Sequence, residues 1–290
     1  MLNIFSLWGT FNSVIFYITL VISVLGMVGN GLVLWNLGFH IKKGPLNTYV
    51  LNLAAADFLF LSCQVGFSAA QAVLGSSNDT LYFVITFIWF SVGLWLLACL
   101  CLECCLSSIF PSCYQKYRPR LTSAVLSALV WGLTLPAVLL PANACGMLHN
   151  STRLLACLRY HGVSITWLLA VVCVAIGTTL VLFIWVTCCS QRQHPKLYRI
   201  VRCSGILLFL CRLPMVIYWS LRPILKFLIP FLLPLATLLA CIDSSTKPLL
   251  YFLVGIQPRK REPLRVVLQK ALGEEAQVSL GGLSLPMSRV

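Results

Sequence analysis

From Leu81 the chain runs Leu-Tyr-Phe-Val-Ile-Thr-Phe-Ile-Trp-Phe and stays free of charge until Glu103. A helix rises about 1.5 Å per residue, so this run of roughly twenty residues is long enough to cross the hydrocarbon core of a bilayer. Glu103 closes the run. An acid there is costly unless it reaches the water boundary or finds a partner.

Six further apolar runs accompany this one, giving spans near 12–38, 46–73, 81–110, 121–142, 162–189, 199–221 and 228–254. With 59% hydrophobic and only 10% charged residues, the chain has too little polar surface to cover a soluble fold. The fold class expected is an all-α membrane protein, a seven-helix transmembrane bundle. The net charge of +14 does not point to nucleic acid, because the bases sit in short runs between spans. Lys42, Lys43, Lys116, Arg118, Arg120, Arg192, Lys196, Arg199, Arg202, Arg259, Lys260, Arg261, Arg265, Lys270 and Arg289 fall in one alternating set of loops and the tail; Arg153, Arg159, Arg222 and Lys226 fall in the other. Fifteen against four places the amino end outside and the tail in the cytoplasm. Two glycosylation acceptors, Asn78-Asp-Thr and Asn150-Ser-Thr, fall in loops assigned to the outside by that count. The organisation expected is an outer segment 1–11, a seven-span domain 12–254 and a cytoplasmic tail 255–290. In the tail, Leu264, Val267, Leu268, Ala271 and Leu272 recur at helical spacing, so 258–272 reads as an amphipathic helix on the inner leaflet, with disorder beyond.

Several strings sharpen the assignment. Gly29-Asn30-Gly-Leu-Val, Leu51-Asn-Leu-Ala-Ala-Ala-Asp57, Pro214 and Pro248-Leu-Leu-Tyr251 resemble the signatures of rhodopsin-like receptors. Glu103-Cys-Cys-Leu-Ser-Ser-Ile-Phe-Pro, Tyr117-Arg-Pro-Arg and Asp243-Ser-Ser-Thr-Lys-Pro-Leu-Leu-Tyr-Phe-Leu-Val-Gly resemble the Mas-related receptors, and the similarity runs from about Phe11 to Leu272. The resemblance implies a plasma-membrane G-protein-coupled receptor without cofactor. Its partners would be the lipid bilayer, a heterotrimeric G protein and an outer ligand, either a peptide or an amphipathic small molecule. A receptor-like modulator or dimer partner that couples weakly is the alternative. A transporter is disfavoured by the odd span count and the lack of an internal repeat. An enzyme is disfavoured because His40, His149, His161 and His194 show no metal-ligand pairing.

Asp57 lies mid-span, where an unpaired carboxylate costs roughly 2.5–3.5 kcal/mol. The resemblance makes it part of a sodium site, yet Lys247 stands where the pattern has Asn, and Arg212 where the superfamily has Trp and the Mas-related family Gly. The core therefore carries the acids Asp57 and Asp243 and the bases Arg212 and Lys247. Two readings stand: Lys247 with Asp57 and Arg212 with Asp243, leaving sodium superfluous, or an Asp243–Lys247 pair within one helix with Arg212 snorkelling into a wet cavity.

At the inner end the resemblance implies a G-protein-facing motif of Glu103, Cys104, Cys105 and Tyr251. Cys104 replaces the family's Arg, which would pair with the acid at rest, and a thiol cannot substitute for it. The resting lock is then either weakened or compensated elsewhere. Cys145 and Cys157, the two cysteines of the outer loops, are expected to form a disulfide worth roughly 3 kcal/mol, joining the fourth and fifth spans as in the Mas-related arrangement. Free thiols are the other reading. Cys188 and Cys189 read as palmitoylation sites or structural thiols.

For the ligand, the resemblance places an acid at Thr86 in amine receptors, and acids at Pro141 and His161 in members that sense cationic peptides; this chain has none of them. The outer half offers Thr86, Trp89, Phe90, Arg159, His161, Tyr218, Trp219 and Arg222 instead. These could bind an amphipathic anion or a lipid-like molecule over an aromatic floor. Equally, the bases could be solvated loop charges and the aromatics interfacial anchors.

Overall fold

The structure is a computed structural model that describes residues 2–39, 44–74, 79–119, 121–148, 153–188, 196–223, 229–255 and 263–272. These residues form α1 (Leu2–Phe39), α2 (Pro45–Leu74), α3 (Asp79–Ile109), α4 (Pro111–Tyr117), α5 (Thr122–Ala144), α6 (Leu154–Cys188), α7 (Lys196–Leu207), a π-helical turn (Leu208–Arg212), α8 (Leu213–Leu221), α9 (Ile229–Gly255) and α10 (Leu264–Leu272). Seven helical segments are long and apolar enough to cross a membrane; α7, the π turn and α8 together make the sixth. No strand occurs among the described residues.

α3 is the axis. In its most apolar stretch 78% of the residues are buried, against 22% for α1 at the periphery. The outward faces are apolar: Val14, Val21 and Leu25 on α1, Leu129 and Leu133 on α5, and Leu180 and Phe183 on α6 are all exposed. The interior holds the charges, with Asp57, Glu103, Arg212, Asp243 and Lys247 buried. A chain that shows hydrocarbon to its surroundings and hides its ions is a multi-pass membrane protein.

Polar side chains hold the helices together where lipid supplies no hydrophobic drive between them. Asn30 Nδ2 on α1 donates to the Ser244 carbonyl on α9 at 3.0 Å, and Ser245 Oγ donates back to the Ile22 carbonyl at 3.0 Å. Trp131 Nε1 on α5 donates to Asn52 Oδ1 on α2 at 3.0 Å. Gly26 permits the α1–α9 approach, since a Cβ there would collide with the Ser245 side chain and Leu61.

Several boundaries differ from the sequence expectation. α1 begins at Leu2, so the outer segment expected over 1–11 is helix from its second residue. The fifth span begins at Leu154 rather than near 162, which makes Cys157, Arg159 and His161 helical residues rather than loop residues. A short helix, α4, occupies the loop after the third span, started by Pro111 at a first-turn position where its missing N–H costs nothing. The tail helix is described over Leu264–Leu272, the expected stretch 258–262 lying outside the described residues, and Val267, Leu268 and Ala271 are buried, with Val267 backbone against Gly255. It packs on the bundle. Asn78, Asn150, Cys189 and the tail beyond 272 lie outside the described residues.

Candidate functional site

Pro214 cannot donate a backbone hydrogen bond, and its ring crowds the carbonyl four residues back. Immediately before it the sixth span widens into the π turn, closed by Leu213 N–H on the Leu208 carbonyl. An inserted residue rotates the helix face that follows by about 100°. The turn ends on Arg212, whose side chain is 1% exposed.

Each guanidinium nitrogen finds an acceptor. Nε donates to Asp243 Oδ2 at 2.5 Å, Nη2 to Asp57 Oδ1 at 2.8 Å and Nη1 to the Phe90 carbonyl at 3.4 Å. The Phe90 ring lies 5.3 Å from the guanidinium carbon. Gly93 on α3 makes the room, because a Cβ there would stand 3.1 Å from Nη1. Lys247 Nζ donates to Asp57 Oδ2 and to Asp243 Oδ2, each at 2.8 Å. Ser244 Oγ adds a bond to Asp57 Oδ1 at 2.8 Å. Acid and base therefore alternate around a closed, neutral ring of four. Lys247–Asp57 and Arg212–Asp243 of the first reading exist, and so does the Asp243–Lys247 pair within one helix of the second; Arg212 also reaches Asp57, and it is buried in the ring rather than snorkelling.

Toward the end opposite the disulfide, Glu103 on α3 accepts from the Tyr114 hydroxyl at 2.6 Å and from the Arg118 guanidinium. Arg118 also donates to Ser123 Oγ and lies 5.4 Å from the Tyr114 ring. α4 folds both residues back beneath the acid. Burial and the neighbouring Glu103 carboxylate push the Tyr114 hydroxyl above its usual value, so it stays a donor. Cys104 is fully buried and Cys105 nearly so, and Tyr251 is buried on α9. The sequence reading missed Arg118, which it counted only as a loop charge.

At the disulfide end, Cys145 and Cys157 are bonded, with Cα atoms 4.6 Å apart, joining the end of α5 to the first turn of α6. Nearby, Trp219 stacks on Phe87 at 4.2 Å and lies 5.7 Å from His161, and its indole N–H donates to Ser164 Oγ at 3.2 Å. A separate cavity of 540 Å³ opens between α1, α2, α3 and α9.

No family model matches the chain. It is 61% identical to Mas-related G-protein coupled receptor member G of Mus musculus over the full length of both chains. Its identity to member G of Homo sapiens is 63%, over 99% of each chain. The chain belongs to the Mas-related G-protein-coupled receptor family. Member E of Homo sapiens, 33% identical over 92% of this chain, is a more distant relative.

In this receptor some of the residues expected to line a ligand site come together, His161 with Trp219, Arg222 with Tyr218 at 5.9 Å, and both Tyr218 and Trp219 on Phe83, while others lie apart. Tyr218 and Trp219 are buried within the bundle rather than anchored at an interface, and Tyr218 packs edge-on against Phe83 at 4.9 Å. Arg222 lies 4.6 Å from the Phe83 ring and donates to Thr80 Oγ1 at 3.3 Å. His161 meets the Ser220 carbonyl through Nε2 at 3.2 Å, and Arg159 is exposed. Phe90 serves the ionic ring, and Trp89 packs 5.9 Å from Trp131 on the α5 side. Thr86 alone of the set lines the 540 Å³ cavity. The aromatics fill space with one another, which a sequence cannot distinguish from aromatics waiting for a ligand. Cys188 is exposed and keeps both of its readings.

Proposed function

We propose that this receptor faces its amino end outward across the plasma membrane, takes a ligand in the disulfide half of the bundle, and passes a change of packing to the Glu103 end. There a heterotrimeric G protein engages. The observation that carries the proposal is the four-charge ring between the two ends. Its members come from the second, sixth and seventh spans, so relative motion of those spans must remake ionic bonds. A ligand drives such motion only through its different affinity for the two packings. Lys247 Nζ, bonded to both acids at 2.8 Å, occupies the place a monovalent cation would need beside Asp57. Sodium is then superfluous.

The test is a G-protein dissociation sensor in cells, read with sodium present and with sodium replaced by choline. Basal and stimulated signals are expected not to respond to sodium. A sodium response that disappears in Asp57→Asn overturns the assignment of the ring. Tags at the two ends of the same receptor, stained before and after permeabilisation, check the orientation.

The second reading, a weakly coupling modulator or dimer partner, is favoured by one observation. Glu103 is held from the loop by Arg118 and Tyr114, while Cys104 is fully buried and offers a G protein no cation. A large gain of dissociation signal in Cys104→Arg supports that reading; no gain supports the transducer.

A further inference from the structure

The 540 Å³ cavity between α1, α2, α3 and α9 lies within the size range of small-molecule sites, about 300–1,000 Å³. Three polar atoms of residues that line it, Asn12 Oδ1, Thr19 Oγ1 and the Tyr82 hydroxyl, are buried without a hydrogen-bond partner among the described residues. Thr19 is only 8% exposed. Unpaired buried groups are costly to a fold, so a ligand that pairs them gains what the apo protein forgoes. The remaining wall mixes uncharged polar side chains, among them Gln64, Ser68 and Gln71, with the aromatic rings of Phe16, Tyr17, Phe67 and Phe83, of which Phe67 stacks on Tyr82 at 3.7 Å.

Charge decides the class. None of the described residues lining the cavity is charged; among the described bases of this end, Arg222 stands outside the lining, against the Phe83 ring and bonded to Thr80, and Arg153 and Arg159 are exposed. A carboxylate or an ammonium entering this space would leave water and meet no counter-ion. An apolar chain has a way out. Tyr17 lines the cavity and is also 65% exposed, one helical turn from outward-facing Val14 and Val21.

We infer that this cavity binds an uncharged amphiphile, with a hydroxyl or amide head on Asn12, Thr19 and Tyr82 and a single alkyl or acyl chain leading past Tyr17 to the bilayer. Any consequence for signalling rests on the reading of this end as the ligand-receiving end. The binding itself is tested without a G protein, so failure of signalling with binding intact counts against that reading alone.

The experiment titrates the purified full-length receptor in neutral detergent and follows thermal unfolding by tryptophan fluorescence. The probes share one chain length: 1-decanoylglycerol and N-decanoylethanolamine are uncharged, decanoate is an anion and decylamine a cation. A saturable rise in Tm is expected with the two uncharged probes and none with the ions. Thr19→Val and Tyr82→Phe keep shape while removing the hydroxyls, and each is expected to weaken binding roughly two- to tenfold. If Thr19→Val fails to fold, Tyr82→Phe, which retains the ring stacked on Phe67, carries the test. Saturable stabilisation by decanoate or decylamine equal to the uncharged probes overturns the inference. So does unchanged affinity in the hydroxyl-deletion variants, or no saturable shift with either uncharged probe.

Discussion

Replacing Lys247 with Met removes the ammonium that bridges both acids while keeping a flexible side chain of similar length. The ring would retain two carboxylates and one guanidinium, hence one uncompensated negative charge at a site where Asp57 is 2% exposed and Asp243 fully buried. Removing one partner of a buried pair costs about 3–5 kcal/mol, most of it from the charge left behind. At roughly 2–4 °C per kcal/mol, the unfolding midpoint of purified Lys247→Met should fall by about 6–20 °C. The informative comparison is the double variant Lys247→Met with Asp243→Asn. It restores neutrality, leaving Arg212 with Asp57 at 2.8 Å and with Phe90. Its loss should then be hydrogen bonds, about 1 kcal/mol each, rather than a stranded charge. The double variant should therefore be more stable than Lys247→Met alone, a coupling that only neighbours in one network produce. Thermal unfolding in detergent measures it, with surface expression as a second readout. If Lys247→Met melts within 2 °C of the wild type, on the order of 1 kcal/mol, or if the two substitutions simply add, the ring is not the electrostatic unit described here.

Two further outcomes follow from the ends of the bundle. Arg118→Gln leaves Glu103 with Tyr114 alone; a bond to a charged group is worth about 1.5–3 kcal/mol, so basal G-protein dissociation should rise at least about tenfold, up to roughly a hundredfold, at equal surface expression, and an unchanged basal signal would show that this contact does not restrain the receptor. Reduction of the Cys145–Cys157 bond, or Cys157→Ser, should remove roughly 3 kcal/mol by freeing a short loop in the unfolded chain; it is read as a lower Tm under reductant that is absent in the Cys157→Ser variant.

The spans were legible because a bilayer imposes a length and a polarity that twenty apolar residues satisfy in only one way. The fifth span shows where that logic stops. Arg159 and His161 interrupt its apolar run, yet the helix continues through them, since exposed Arg159 costs a helix end nothing and His161 finds the Ser220 carbonyl. Charge balance pointed to pairs in the core, and the spacing of Asp243 and Lys247 placed them on one face. What it could not reveal was that Arg212 reaches both acids at once. That depends on the π turn before Pro214 and on the space Gly93 leaves in another helix. The packing of the expected ligand residues was hidden for a related reason. Trp219 and Tyr218 carry the composition of a binding floor, but they pack on Phe87 and Phe83, whereas Asn12, Thr19 and Tyr82 become notable only when shown to lack partners.

The geometry of the ring bears on how such a receptor could switch. Asp243 and Lys247 stand on one helix, and Arg212 joins them through a 2.5 Å bond from the neighbouring span, so three of the four charges form a unit at the sixth–seventh interface. Asp57 is the member contributed from across the bundle, held by Arg212, Lys247 and Ser244, each at 2.8 Å. An apolar ring at the Arg212 position could turn without moving a charge. The guanidinium cannot. On the proposed mechanism, displacing the sixth span alone would break both Arg212 ion pairs and leave Asp57, Asp243 and Lys247 with one uncompensated negative charge in a dry interior, which is costly. The lower-energy motion carries the sixth and seventh spans together and keeps their three charges joined. Asp57 must then follow to keep Arg212, Ser244 and Lys247, the last two on a helix that also meets α1 at Gly26 and Asn30. A change at the cavity between α1, α2, α3 and α9 thus reaches the ring through the very helix that holds half of it.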